Sequence, residues 1–185
     1  MRTLIINGSP RKNGDTAALI AALRSELSGE VVEISAYRDK ISPCVDCRYC
    51  YEHAACAIHD DMQTVYDDDY DNVIIASPVY YGILTPPLMA LASRLQIHHS
   101  AKHMRGEPIE LRQKRGAVML VGGGKGNPEG AFRLARVMLR ILNAEYDESQ
   151  PDGSIATSFN TDELAARDDG AALAAARAIA RRLNA

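Results

Sequence analysis

A chain of 185 residues with 46% hydrophobic and 24% charged side chains is long enough to bury a real core, and its composition is that of an ordinary soluble globular domain. A formal net charge of −3, with no basic arm or face, gives no reason to expect nucleic acid as a partner. The opening "MRTLIINGSP" has too short an apolar core for a signal peptide, and the most apolar region, "NVIIASPVYYGILTPPLMALA", carries three prolines and does not read as a membrane span, so a cytoplasmic location with no membrane partner is expected.

The first strand is expected over about residues 2–7. The loop that follows, within "NGSPRKNGDTAALIAAL", is longer than the roughly two to five residues a plain turn needs. Its chemistry suits an anion. Backbone N–H groups at a helix start are unpaired and the helix dipole adds positive charge there. Ser9 and Thr16 offer hydroxyl donors, Arg11 a forked cation, and Gly8 and Gly14 allow tight backbone paths. The alternative is an ordinary capped strand-to-helix turn. A helix over about 15–28 carries Ile20, Leu23 and Leu27 at helical spacing, and "EVVEIS" reads as the second strand.

After a cysteine-bearing segment, "DDMQTVYDDDYD" is expected to form a short acidic helix, with "DDDYD" a surface face and not a cation site. "NVIIAS" is a continuous β-branched run, the pattern of a strand buried on both faces. The loop "PVYYGILTPP" leads to the helix "PLMALASRLQIHH", whose His98 and His99, with His103 beyond them, read as a solvated helix end. "KHMRGEPIELRQKRG" reads as a solvated connection, and "GAVMLVG" as the fourth buried strand, ending in "GGGKGNPEG". Asn127 is placed to cap the next helix, with Pro128 in its first turn and an amphipathic body "AFRLARVMLRILNA". A last strand falls somewhere in 144–158, and the closing helix "TDELAARDDGAALAAARAIARRL" buries Ala172, Ala176, Ile179 and Leu183 on one stripe.

Strand and helix alternate five times, which predicts an α/β fold over 1–185: a five-stranded parallel sheet with helices on both faces, in three layers. Ligands bind such sheets beyond the carboxyl ends of the strands, where all three elaborate loops lie. One ligand touched by all three is the economical reading. The first loop lacks both the Gly-Lys-Ser/Thr ending of a P-loop and a three-glycine dinucleotide spacing, so it suits the single phosphate of a mononucleotide. In the second loop Tyr80 and Tyr81 offer planar surfaces, unless they only pack the loop against the body. In the third, Gly122, Gly123 and Gly124 let backbone come close to a flat ligand, unless they form a plain flexible turn. A phosphate at one end and a planar ring at the other describe flavin mononucleotide, FMN.

All four cysteines lie in "CVDCRYCYEHAAC": Cys44, Cys47, Cys50 and Cys56, separated by two, two and five residues. Without a secretory signal they are not read as a disulfide framework. Three thiolates at this spacing can wrap one face of a cubane and the fourth can close it, giving a 4Fe–4S cluster. Free thiols, or zinc with His53 or His59 as a substitute ligand, are the alternatives.

These pieces carry a resemblance. Through "GSPRKNGDT", "PCVDCRYCYEHAACAIHDDM" and "SPVYYGILTPPL" the chain resembles the flavodoxin-like NAD(P)H-dependent FMN reductases, most closely their iron–sulfur flavoprotein branch. The resemblance implies that Ser9, Arg11, Gly14, Asp15 and Thr16 surround the FMN phosphate, that Pro78, Val79, Tyr80, Tyr81 and Gly82 run along the ring, and that a cysteine-rich segment at 43–61 holds the cluster. Asp15 stands where the family more often has Asn; a carboxylate beside a phosphate is repulsive unless it turns away, for example to cap the helix. The family's usual Asp-Arg after the third helix is replaced by "ASRLQIHHSAKH". The implied activity is electron transfer from NAD(P)H through FMN to a small acceptor such as a quinone or a flavin, with no side-chain acid or base required and hence no catalytic residue named. An iron–sulfur electron carrier between ferredoxin-like partners and a thiol-based regulatory module without flavin are the rival readings. By analogy the chain is expected to form a homodimer or homotetramer.

Overall fold

The structure, a computed structural model, describes residues 1–107, 109–124, 126–146 and 154–185. In chain order the elements are β1 (Arg2–Asn7), α1 (Asp15–Arg24), β2 (Glu30–Ser35), α2 (Tyr49–Glu52), α3 (Gln63–Tyr66), β3 (Asn72–Tyr80), β4 (Ile83–Leu84), α4 (Pro86–Ser93) and α5 (Gln96–Ser100). A π-helical turn (Ala101–Arg105), β5 (Lys114–Val121), α6 (Glu129–Ile141), β6 (Ala144–Glu145), β7 (Ile155–Ser158) and α7 (Gly170–Asn184) follow.

The sheet runs β2-β1-β3-β5, and β6 and β7 both pair in parallel with β5, at its start and its end respectively. Five parallel columns result, the last one built from two pieces; β4 folds back antiparallel onto the end of β3. This is the flavodoxin-like doubly wound order, which reverses direction between β1 and β3.

The strands explain the layers. Successive residues of β3 point to opposite faces: Val73 and Ile75 pack with Leu88, Leu91, Ala135 and Leu139 from α4 and α6. Ile74 and Ala76 pack with Leu19 and Leu23 of α1 and with Ala172, Ala176, Ile179 and Leu183 of α7. A strand covered on both sides has no solvent face to alternate with, so its sequence is continuously apolar.

Several local expectations change. α1 stops at Arg24, and Gly29 (φ +86°) then turns the chain tightly beside Met1 O. The acidic helix shrinks to Gln63–Tyr66, and the basic stretch, although mostly exposed as expected, is tied down at its end. Lys114 is buried and donates to Asp68, Arg112 O and Leu142 O, while Arg112 reaches Asp69 and Asp71. The acidic run and the basic run are therefore partners across the base of the sheet. The histidines do not share one environment either: His99 is exposed, whereas His98 is half-buried with a buried Nε2. Residues 161–169 form turns, and α7 begins only where Asp169 caps it by accepting from Ala172 N. The last strand is seen at both ends of its expected range; residues 147–153 lie outside the described residues. Among the described residues no helix is long and apolar enough to cross a membrane.

Candidate functional site

The loop after β1 is pinned from several sides. Gly8 N donates to Ala76 O at 2.8 Å and Thr85 Oγ1 to Gly8 O at 2.8 Å, so β3 and the start of α4 hold it. A Cβ on Gly8 would lie 2.6 Å from Leu88 and 2.8 Å from Ser77 Oγ, too close for any other residue. Asn7 Oδ1 accepts from Ser9 N, and the Ser9 hydroxyl contacts Arg11 N at 3.3 Å. α1 then starts on Gly14 with no side-chain cap, which leaves the N–H groups of its first turn facing the loop. Thr16 is buried there.

Asp15 does not cap the helix. One of its oxygens takes Arg11 Nη2 at 3.0 Å and the other accepts Ala166 N at 3.0 Å, so the carboxylate is neutralised away from the uncapped amides. Arg11, Asn13, Gly14 and Asp15 line a cavity of about 480 Å³ with Thr161 and Arg167.

The loops after β3 and β5 meet. A Cβ on Gly122 would touch Phe159 and Val79, and Gly82 (φ +79°) leaves no room for one against Asn127 O. Val79, Tyr81, Gly82 and Gly122, Gly123, Gly124 share one cavity of about 360 Å³, closed by Asn127 and Phe159. Tyr81 holds a left-handed backbone (φ 52°) and its side chain is fully exposed. Tyr80 and Pro78 do not line this cavity: Pro78 stays in β3 opposite Val121, and Tyr80 lies beside Tyr37. Arg38 Nη1 reaches Ser9 O at 3.5 Å, so the start of the cysteine-bearing connection touches the first loop.

In that connection all four cysteines are free thiols lining one small pocket together with Arg94 and Ile97. The segment has little secondary structure, and later residues give it its shape. Cys44 N donates to Ser93 Oγ at 3.0 Å, and Cys50 Sγ lies 3.2 Å from Ser100 Oγ. Arg94, with 1% of its side chain exposed, donates to Ser42 O, to Asp60 Oδ2 and to Ile58 O, bridging the two arms of the loop. Arg105 donates to Cys50 O and His53 O. Burial pushes the Asp60 carboxyl up, but Arg94 and the N–H groups of Ser42 and Met62 outweigh it and hold the group below the ordinary carboxylate range.

The described residues gather no three of His, Cys, Asp or Glu at the spacing of a single-ion site. Zinc draws its sulfurs to about 2.3 Å from one point, whereas a cubane takes each thiolate at its own corner. The pocket brings the four cysteines together with one carboxylate, that of Asp46.

Sequence reasoning missed Ser93, Arg94 and Arg105, and with them Asp162, whose carboxylate packs against Gly123. One signal was present: Arg94 continues the Leu88–Leu91 spacing of a buried helical stripe, where an unpaired cation does not belong.

A doubly wound sheet with an uncapped helix start and a glycine wall at one end defines a flavodoxin-like mononucleotide fold. Residues 1–148 match the model of the NADPH-dependent FMN reductases, and the chain belongs to that family of FMN-dependent oxidoreductases. It is 37% identical over 139 residues to an iron–sulfur flavoprotein of Methanocaldococcus jannaschii, covering 72% of this chain and 68% of that protein. A second iron–sulfur flavoprotein of the same organism is 30% identical over 130 residues, covering 68% of this chain and 64% of the relative. The chain thus spans about two thirds of the length of these relatives. Among solved structures, the FMN-dependent NADH-azoreductase of Bacillus anthracis in complex with FMN superposes with a TM-score of 0.68 at 15% identity, each chain covered in full, which shows the shared fold.

Proposed function

We propose that the protein takes electrons from NADH or NADPH onto bound FMN and passes them to a small acceptor of the quinone or flavin class, with Cys44, Cys47, Cys50 and Cys56 holding a 4Fe–4S centre as a second redox site. The observation that carries this reading is the convergence of an uncapped, glycine-led helix start and a three-glycine wall at one end of the sheet. Bound FMN supplies hydride acceptance and stepwise electron release, and an iron–sulfur centre supplies one-electron transfer.

The chain's part is to bind and orient. The first-turn amides of α1, with Ser9 and Thr16, offer donors to a dianionic phosphate, while Arg11 supplies a cation at the mouth. Asp15 fits beside an anion because its charge is taken up by Arg11 and Ala166 N. Gly122–Gly124 keep side chains off the flat surface opposite Val79, and Gly82 lets the backbone pass Asn127. The exposed Tyr80, Tyr81 and Ile83 beside this cavity support association into a homodimer or homotetramer.

The test is the visible spectrum of protein purified without oxygen, with flavin, iron and zinc assays, followed by a single turnover with each nicotinamide. Bleaching of the flavin by NADH or NADPH without any added protein supports the reading. Reduction by dithionite alone would transfer the protein to the class of electron carriers between ferredoxin-like partners. Colourless protein with a reversible disulfide would make it a thiol-based regulatory module.

A further inference from the structure

The cysteine pocket is flanked by two buried arginines that the flavin site does not use. Arg94 has 1% of its side chain exposed and Arg105 has 7%. Each uses its terminal nitrogens on the cysteine segment: Arg94 on Ser42 O, Ile58 O and Asp60, Arg105 on Cys50 O and His53 O. Each also keeps a buried Nε–H that has no hydrogen-bond acceptor among the described residues. A buried N–H left without an acceptor is costly, and the one on Arg94, which lines the cysteine pocket, calls for an explanation; Arg105 Nε lies 3.9 Å from Glu107 Oε2.

The charges point the same way. Arg94 is balanced by Asp60 at 2.9 Å. Arg105 meets only carbonyls at short range, its nearest carboxylate being the exposed Glu107 at 3.9 Å. A buried cation without a close counter-charge is unfavourable unless an anion sits nearby. The pocket that Arg94 lines holds four cysteines, which as thiolates around an iron–sulfur core leave the whole net anionic, and Arg105 grips the turn that carries Cys50.

We propose that Arg94 and Arg105 form a two-arginine clamp that shapes the cysteine segment, with Arg94 donating its Nε–H to sulfur, so that both act as positioning residues governing retention of the centre bound there and Arg94 also its potential. The proposal rests on the iron–sulfur reading given above. Arg94 ties the arms at 42 and 58–60, Arg105 fixes the turn at 50–53, and the four thiols lie on the segment so held. Hydrogen bonds to cluster sulfur stabilise the more reduced, more negative state, so Arg94 raises the midpoint potential. Groups that orient metal ligands without touching the metal typically contribute about 10- to 100-fold in metal affinity.

The experiment compares wild type, Arg94→Lys and Arg105→Lys, each FMN-loaded and reconstituted without oxygen with iron and sulfide. Lysine keeps the charge but has neither the fork nor the Nε–H. Expected are loss of iron to a chelator about tenfold faster or more in both variants and a more negative midpoint potential in Arg94→Lys, with FMN affinity unchanged. Wild-type iron loss in both would overturn the clamp, faster loss in only one would overturn the pair, and an unchanged potential in Arg94→Lys would overturn its bond to sulfur. Hydrogen exchange of residues 40–61 in the iron-free, FMN-loaded proteins covers variants that take up no iron: faster exchange confined to that segment supports the clamp, and unchanged exchange overturns it. Wild type that binds FMN but no iron refutes the iron–sulfur reading instead, and the exchange comparison still decides on the clamp.

Discussion

At the scale of single residues, Asp15 shows how an acidic side chain is accommodated beside an uncapped helix start. Its two oxygens join Arg11 to the turn at Ala166, so it fastens α1 to the chain that leads into α7. Asp15→Ala leaves the buried Ala166 N–H without an acceptor, and urea unfolding should register a loss of about 1.5–3 kcal/mol, the range for a bond to a charged group. Asp15→Asn keeps a carbonyl oxygen and should recover at least half of that loss. Thr16 is buried under the same loop, and Thr16→Ala should weaken FMN binding by about 1 kcal/mol, read by flavin fluorescence titration. Unchanged affinity would remove Thr16 from the site. Of these two, only Thr16 has a role readable from sequence: a hydroxyl at a helix start has a local use, whereas Asp15's partner lies 151 residues away.

Elements differ in how much of themselves they reveal. β3 was legible because a strand covered on both faces must be apolar throughout, whereas the glycine run after β5 was legible as a glycine wall without the neighbour that crowds Gly123. A Cβ on Gly123 would fall 2.3 Å from an Asp162 carboxylate oxygen. Gly123→Ala must therefore displace the Asp162 carboxylate from the glycine wall, a strain of about 1–3 kcal/mol that should appear as weaker FMN binding. The double change Gly123→Ala, Asp162→Ala should restore much of the affinity. If it does not, Gly123 acts by some route other than its contact with Asp162. The cysteine segment was legible in its chemistry and opaque in its shape, since Ser93, Arg94 and Arg105 stand about 34 to 55 residues beyond the groups they hold.

For the whole molecule, the five parallel columns followed from the alternation of elements, which local pattern encodes directly. The electrostatic seam across the base did not, because two charge runs that each look solvated conceal their pairing. His98 lies beside this seam, and burial, reinforced by the Lys114 ammonium and opposed by Asp68, holds its imidazole below the ordinary histidine range. The unfolded chain therefore takes up this proton first. Stability contributed by neutral His98 is complete above the unfolded value of about 6.5 and is lost as pH falls from there through the folded value. Thermal unfolding followed between pH 7.5 and 5 should show His98→Leu losing less Tm than wild type. Equal slopes would show that other groups set the acid sensitivity. Asp60 has the same sign in a lower window: its contribution is intact above the normal carboxylate value and disappears as pH falls through its depressed one.

The long reach of Arg94 and Arg105 also has a consequence in time. A ribosome adding about 5–20 residues per second makes Cys50 some seconds before Arg105, which lies 55 positions later and grips its carbonyl. During that interval the four thiols exist on a nascent strand that has no means of gathering them. Oxidation or capture of a stray metal in this window would be an error of biosynthesis, decided before the finished fold could protect against it. Slower translation through residues 57–105 should raise the fraction of chains with oxidised cysteines, and faster translation should lower it.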